Sequence, residues 1–600
     1  MAEIYSPGQE QYPRPDFERP NLSWCSLNGE WNFTFDDEDV GELNLWHIHK
    51  LPHDNLRTIN VPFVYQTKAS GINERGAHPI VWYEKSINNI RQLEQKQGDR
   101  VLLRFGAIDY EAKVWIDGLF VGSHRGGHVP FDLDVTDFVS GGESSRVTIR
   151  VWDSVSDLTQ PRGKQYWKPN PESIFYTPST GIWQSVWLEI VPQTRIADSS
   201  HGTIIRSNNI RSGELETEIA IISRRKNAAF TVTINASLDG VEVAKSDGVD
   251  VDRETDIARV KLSLRLSGDQ QRRLSKAFME AHPLSDTACW HDGLALWSPE
   301  YPILYDLTIS LIDSESQTVD TVACTTGMRS ITWTNGDNTF RLNNQPYFQA
   351  LVLDQGYWPS TNITPPTPQA LKDDIILSKA MGFNGCRKHQ KVEDPMFLYW
   401  ADKLGYLVWG EIANAYDFST QYVDRFDQEW MEAVRRDINH PCIVTWTPIN
   451  ETWGYTALGS NATEQNHVRS LYYRTKTLDP TRPINDNCGW EHVCTDLTTF
   501  HDYSDGPDLA KTCQSLEEIL KPKAGKDMFV GDSSHRHDAP VICTEFGGVN
   551  IAPRQDETAI EGSWGYTTAT DAQDLLQRVR RLMLGVVEGG LCCGFVYTQL

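Results

Sequence analysis

The chain has 600 residues, enough for about three or four domains and for cores that need no disulfide or metal staple. Lys and Arg number 56 against 81 Asp and Glu, and the resulting net charge of −25 speaks against nucleic acid and anionic membrane surfaces as partners. Hydrophobic residues make up 39% and charged residues 23%, which excludes a disordered chain, and no run reaches the roughly 18 apolar residues of a membrane span.

The first ten residues carry neither a basic stretch nor an apolar core, so no signal peptide is expected. The 11 Cys lack CxxC spacing and read as reduced thiols, which points to a cytoplasmic setting; secretion by another route stays open. From Glu30 to Val191 short alternating runs such as Val101–Phe105, Lys113–Ile116 and Val147–Trp152 are punctuated by Gly, Asp and Asn, the pattern of an antiparallel sandwich. Phe230–Ala236, Ala258–Leu266 and Leu307–Ile312 repeat the theme, with a charged insertion or helix over Asp269–Glu280. After Trp333 apolar runs alternate with helix-period segments: Pro368–Met381, Asp394–Leu404, Val423–Ile438, Glu464–Lys476 and Asp571–Leu584. About eight strand candidates over a span close to the roughly 250 residues of a (β/α)8 barrel predict that fold. The expected division is 1–192 and 193–332 for two sandwiches and 333–600 for the barrel, the chain ending inside strand eight and reading as shortened there.

In such a barrel the chemistry sits just past the C-terminal ends of the strands. Asn450 and Glu451 follow Ile443–Ile449, Glu545 follows Val541–Thr544, His501 and Tyr503 follow Thr498–Phe500, and Arg387 and His389 follow Gly385–Cys386. Two carboxylates on different strands are what glycoside hydrolysis requires, one protonated to release the leaving group and one ionised. Trp446 and Trp453 flank Glu451, and an aromatic surround favours the protonated form, which suits the acid. Glu545 beside Gly547 and Gly548 is placed to be held ionised by Tyr503 or Arg387. The 20 Trp supply sandwich cores and, at a few positions, flat faces for sugar stacking.

These residues resemble glycoside hydrolase family 2, the family of β-galactosidases, β-glucuronidases and β-mannosidases. Val61-Pro62-Phe63, Gly126-Gly127 and Gly181-Ile182-Trp183 are similar to its sugar-binding-like jelly roll, and Met381-Gly382-Phe383-Asn384 to its early barrel. Asn450-Glu451 resembles its acid/base motif and Glu545-Phe546-Gly547-Gly548 its nucleophile motif. The resemblance implies a jelly roll, an immunoglobulin-like sandwich and a TIM barrel. It also implies a retaining exo-hydrolase of β-galactosidase type, with Glu545 as nucleophile, Glu451 as acid/base, Asn450 on the sugar 2-OH and carboxylates roughly 5–5.5 Å apart. A glycan on the Asn450 sequon would block such a pocket.

The sugar pocket departs from the family's patterns. Leu353–Trp358 lacks the Asn and His of many galactosidases, Arg387-Lys388-His389-Gln390 is one residue shorter than the usual strand-two motif, and no Asn-x-Lys pair follows Glu545. Furanosides of galactose or arabinose, glucuronides and mannosides are therefore rivals to a galactopyranoside. Asp354 is the candidate ligand for a sugar hydroxyl, Arg387, His389, His501 and Tyr503 are candidate polar contacts, and Trp358, Trp453 and Trp564 are candidate stacking faces. No cofactor or metal is expected; Glu411 after strand three has no His among its next neighbours to complete a metal site. The expected partner is a glycoside or oligosaccharide, a homo-oligomer being open, and the rival of another class is a non-catalytic carbohydrate-binding protein.

Overall fold

The structure is a computed structural model that describes residues 11–20, 23–88, 90, 98–139, 144–168, 170–225, 228–551 and 565–600. The first sandwich packs a six-stranded antiparallel sheet, with Gly29–Phe35, Ile80–Asn88 and Ser144–Trp152 at its centre, against a four-stranded one built on Arg100–Phe105 and Val186–Val191. Alternate residues turn inward, so Phe33, Tyr83, Leu103, Ile149 and Leu188 meet in one buried core. The second sandwich pairs Glu214–Ile222 with Ile257–Ser263 and, in its other sheet, Phe230–Leu238 with Tyr305–Asp313. The charged stretch expected to interrupt it forms two short helices, Gly268–Gln271 and Lys276–Ala281, each capped by a serine.

The barrel strands are β1 (Gln349–Asp354), β2 (Gly385–Lys388), β3 (Leu407–Glu411), β4 (Ile443–Thr447, resumed at Ile449–Asn450), β5 (Asn487–Cys488), β6 (Thr498–His501), β7 (Val541–Gly547) and β8 (Gly594–Thr598). Parallel ladders run β4-β3-β2-β1-β8-β7-β6. The second part of β4 pairs in parallel with β5, and the ring closes where Gln349–Val352 lie beside Gly594–Tyr597. β5 meets β6 through side chains, the Thr499 hydroxyl donating to Asn485 Oδ1 at 3.0 Å.

The crossover helices begin where the sequence places Pro at the first turn or a capping side chain. Thr367 caps Pro368–Ala380, Asp394 caps Pro395–Leu404, and Ser419 caps Thr420–Asp437. Gly506–Cys513 and Leu516–Ile519 are helices that the sequence reading did not anticipate.

The first sandwich docks on the barrel through residues 162–168 and 170–177, which are linked by a parallel bridge between Gln165 and Tyr176. The amides of Arg162 and Gly163 donate to the Asn414 carbonyl at 3.1 and 2.9 Å. Gly163 has φ +57°, and a Cβ there would run into the Gln390 carbonyl oxygen, so only glycine allows this approach. Tyr176 stacks on Tyr357 at 4.1 Å, and Asn362 Nδ2 donates to the Thr177 carbonyl at 2.9 Å.

Candidate active site

A cavity of about 620 Å³ opens at the C-terminal ends of the barrel strands. Its floor carries Asn450, Glu451 and Glu545, with His389, Tyr503 and Thr598 around them. Its rim is shared between the barrel (Tyr357, Trp358, Tyr566) and the sandwich (Arg75, Lys164, Phe175, Tyr176).

Pro448 divides β4, and beyond it Glu451 and Thr452 take left-handed backbone conformations, φ +49° and +64°. Such conformations cost about 1–3 kcal/mol each and persist only where neighbours fix them. Here the Glu451 amide donates to the Cys488 carbonyl, and the Thr452 amide donates to Asn487 Oδ1, both at 2.9 Å. The turn delivers the Glu451 carboxylate to His501, Oε1 to Nδ1 at 2.7 Å. His501 is seated under Gly489 (φ +110°), where a Cβ would come within 2.8 Å of the imidazole.

Glu545 leaves β7 into a ring of donors. Arg387 Nη1 donates to Oε1 at 3.1 Å, the Tyr503 hydroxyl to Oε2 at 2.6 Å, and His501 Nδ1 stands 3.7 Å from Oε2. Burial pushes this carboxyl up, but the charges of His501 and Arg387 and the Tyr503 hydrogen bond outweigh burial and hold it well below the usual range. For His501 burial disfavours the charged imidazole, yet Glu545 and Glu451 raise it to about 10, so it is a cation at neutral pH lying against both carboxylates. One oxygen of Glu451, one of Glu545 and a ring nitrogen of His501 all lie within 4.8 Å of one another. That triad has the spacing of metal ligands.

Arg387 is fully buried beneath the floor. It bridges Glu411 (Nε to Oε2, 2.7 Å), Glu545 and the Asn450 side-chain oxygen. Glu411 also contacts His389 Nδ1 at 3.1 Å and accepts the Gln390 amide at 3.0 Å, so both its oxygens are engaged within the protein. Asn450 lines the cavity; its oxygen is bound to Arg387, and its buried side-chain nitrogen has no partner among the described residues.

The other candidates separate clearly. His389, Tyr503 and Trp358 line the cavity, whereas Arg387 and His501 act from behind its wall. Asp354 lies outside the lining: its oxygens take Lys388 Nζ at 2.6 Å and the Gly356 amide at 2.9 Å, and Lys388 is shared with Glu393 at 2.8 Å. Trp453 is covered by sandwich residues, Phe175 at 6.0 Å and the Lys164 ammonium 4.7 Å above its ring. Trp446 does not flank Glu451; its indole points into the helix layer, donates to Asp479 at 2.8 Å and meets Trp430 edge-on. Trp564 falls outside the described residues, but Tyr566, two positions on, stacks on Tyr503 at 3.7 Å.

Sequence reasoning missed Lys164, Tyr566, Gln355 and Gln599, all of them cavity residues. The signal for Lys164 was the Arg162-Gly163-Lys164 turn, legible only once Gly163 is seen against the barrel.

The chain matches the glycosyl hydrolases family 2 sugar binding domain over residues 24–192, glycosyl hydrolases family 2 over 208–329 and the family's TIM barrel domain over 367–554. It is 25% identical over 490 residues to a β-galactosidase of Thermoanaerobacter pseudethanolicus, covering 80% of this chain and 57% of that one. A β-glucuronidase of Felis catus is 24% identical over 507 residues, 79% of this chain and 69% of its own length. Among solved structures, a β-glucuronidase from Ruminococcus gnavus superposes with a TM-score of 0.72 at 16% identity over 98% of this chain and 92% of that one. A Bacteroides uniformis β-glucuronidase does so with 0.71 at 18% identity, over 96% of this chain and 64% of that one. The domain matches together with the shared fold identify the chain as a member of glycosyl hydrolase family 2.

Proposed function

We propose that the chain is a retaining exo-glycosidase in which Glu545 is the nucleophile and Glu451 the acid/base. The observation that carries this reading is the approach of the two carboxylates, one oxygen of each lying within 4.8 Å of the other. An inverting enzyme needs a water between carboxyl groups roughly 6.5–9.5 Å apart, and a retaining one needs roughly 5–5.5 Å. The electrostatics of Glu545 fit the nucleophile's part of this division. Glu545, held ionised by His501 and Arg387, attacks the anomeric carbon. Glu451 donates a proton to the departing oxygen, then accepts one from the water that releases the sugar. In this reading the Asn450 side-chain nitrogen, unpartnered among the described residues, donates to the sugar's 2-oxygen.

The first sugar to test is a β-galactoside, with glucuronide, mannoside and the furanosides of galactose and arabinose beside it. The test is a nitrophenyl glycoside panel with wild type, Glu545→Gln and Glu451→Gln. Glu545→Gln abolishes the covalent glycosyl-enzyme, read by intact-protein mass after a fluorosugar. Glu451→Gln costs about 10²–10⁴-fold, least with leaving groups that need no proton. Full turnover by either variant, or an inverted first-formed anomer by NMR, overturns the assignment.

A further inference from the structure

Lys164 is a charge out of place for a wall of neutral sugar contacts. It comes from the sandwich, 5% exposed, and reaches the cavity wall through the segment that Gly163 docks on the barrel. Among the described residues its ammonium has only the faces of Trp453 and Phe175, at 4.7 and 5.9 Å, and neither a hydrogen bond nor an ion pair. The barrel's other buried lysines show what a satisfied one looks like. Lys388 is bound to Asp354 and Glu393 at 2.6 and 2.8 Å, and Lys391 to Glu393 at 3.0 Å. Burial lowers the Lys164 ammonium to about 8, against the pull of Glu545 and Glu451, so it remains mostly charged at neutral pH.

The only carboxylates among the described lining residues are Glu451 and Glu545, both assigned to the reaction and both already bound to His501, with Arg387 and Tyr503 also on Glu545. Arg75, at the exposed rim of the same cavity, likewise has no ion pair among the described residues. A largely buried ammonium that meets no anion among the described residues and opens only onto the cavity gains most from a ligand that supplies one. On a chain of net charge −25, a cavity with two uncommitted cations is a local reversal of sign that draws in an anion.

Resting on the glycosidase reading, we propose that the terminal sugar is acidic, and that Lys164 from the sandwich domain binds its carboxylate or sulfate and sets specificity. The pairing is a charged hydrogen bond within the subsite that holds the sugar, with Arg75 assisting entry at the rim.

The test compares nitrophenyl β-glucuronide, β-galacturonide and 6-sulfo-β-galactoside with the neutral β-glucoside and β-galactoside, using wild type, Lys164→Met and Lys164→Arg. Wild type prefers one acidic member over its neutral counterpart, and which member it prefers separates carboxylate from sulfate. Lys164→Met raises KM for that member about 10- to 100-fold, changes the neutral glycosides several-fold at most, and so collapses the preference. Lys164→Arg retains part of it. A wild type that prefers neutral glycosides, or a Lys164→Met that loses acidic and neutral activity equally, overturns the charge reading and leaves the glycosidase reading intact. Should no member be turned over, nor the mannoside and furanosides of the wider panel, the glycosidase reading falls instead. Calorimetry with free glucuronate, galacturonate and galactose 6-sulfate against glucose and galactose then decides the role of Lys164. Binding of an acid by wild type that is lost in Lys164→Met supports it, and equal binding, or none, overturns it.

Discussion

His501→Gln separates charge from hydrogen bonding in the pair of carboxylates. Gln keeps a donor near Glu451 but removes the cation that now lies 2.7 Å from Glu451 Oε1 and 3.7 Å from Glu545 Oε2. At an effective dielectric near 20, a unit charge at that longer distance is worth about 4 kcal/mol, or roughly three pK units, an upper bound because Arg387 and Tyr503 stay bound to Glu545. The Glu545 carboxyl therefore rises from its depressed position by about one to three units. Because the nucleophile must be ionised, the acid limb of kcat/KM moves to higher pH by the same amount, while the neutral-pH plateau falls much less.

Stability moves with the opposite sign. The His501 imidazole binds its proton up to about 10 in the fold against an ordinary 6.5, so its stabilising contribution is complete below 6.5 and is lost as pH rises through about 10. Glu545, depressed below 4.5, stabilises above that value, and its contribution is lost as pH falls. The variant lacks the alkaline slope and has a weaker acid one. The assays are kcat/KM between pH 3 and 8 on a good leaving group and thermal denaturation between pH 6 and 10. An acid limb that superimposes on that of the wild type refutes the argument, because His501 would then not be the cation that holds Glu545 ionised.

Two further outcomes follow from the same geometry. Asp354→Asn breaks the buried Asp354–Lys388–Glu393 cluster and lowers stability by up to about 3–5 kcal/mol, with kcat and KM of the folded enzyme unchanged; a raised KM at unchanged Tm would instead make Asp354 a sugar ligand. Gly163→Ala puts a side chain into a left-handed residue against the Gln390 carbonyl, so Tm falls and kcat/KM drops more than tenfold as Lys164 and Phe175 shift; unaltered kinetics would show that the docking loop does not position the wall.

The approach of Glu451 and Glu545 was legible because a barrel strand announces its end with a polar residue after an apolar run, as in Ile443–Glu451 and Val541–Glu545. What failed was inference from adjacency. Counting by twos from Asn450 puts Trp446 on the same face, yet Pro448 interrupts the strand and the alternation does not carry across it. Asp354 ends its strand as a ligand should, but Lys388 comes from the neighbouring strand in register with it, and a single chain reading cannot count that partner. Lys164 was invisible for a deeper reason. Its surroundings, Trp453, His389 and Glu545, lie more than two hundred positions away, and local periodicity carries no record of which loop docks on which.

That docking changes what the first sandwich is for. A detachable sugar-binding module would meet the barrel through a small polar contact. Here its docking loop places Trp167 4.9 Å from Tyr416, Phe175 6.0 Å from Trp453 and Tyr176 against Tyr357, so three aromatic rings of the barrel have their covering surface in the other domain. Arg425 of the barrel holds Asp157 at 2.6 Å, and Glu429 accepts the His128 amide at 2.6 Å, so polar groups too are satisfied across the boundary. The barrel brings the two carboxylates together, and the sandwich brings the one buried lysine that no described residue neutralises. On the proposed reading chemistry and sugar choice are carried by different domains: the strand ends are tied to the reaction, whereas a docking loop can be altered without disturbing β4 or β7.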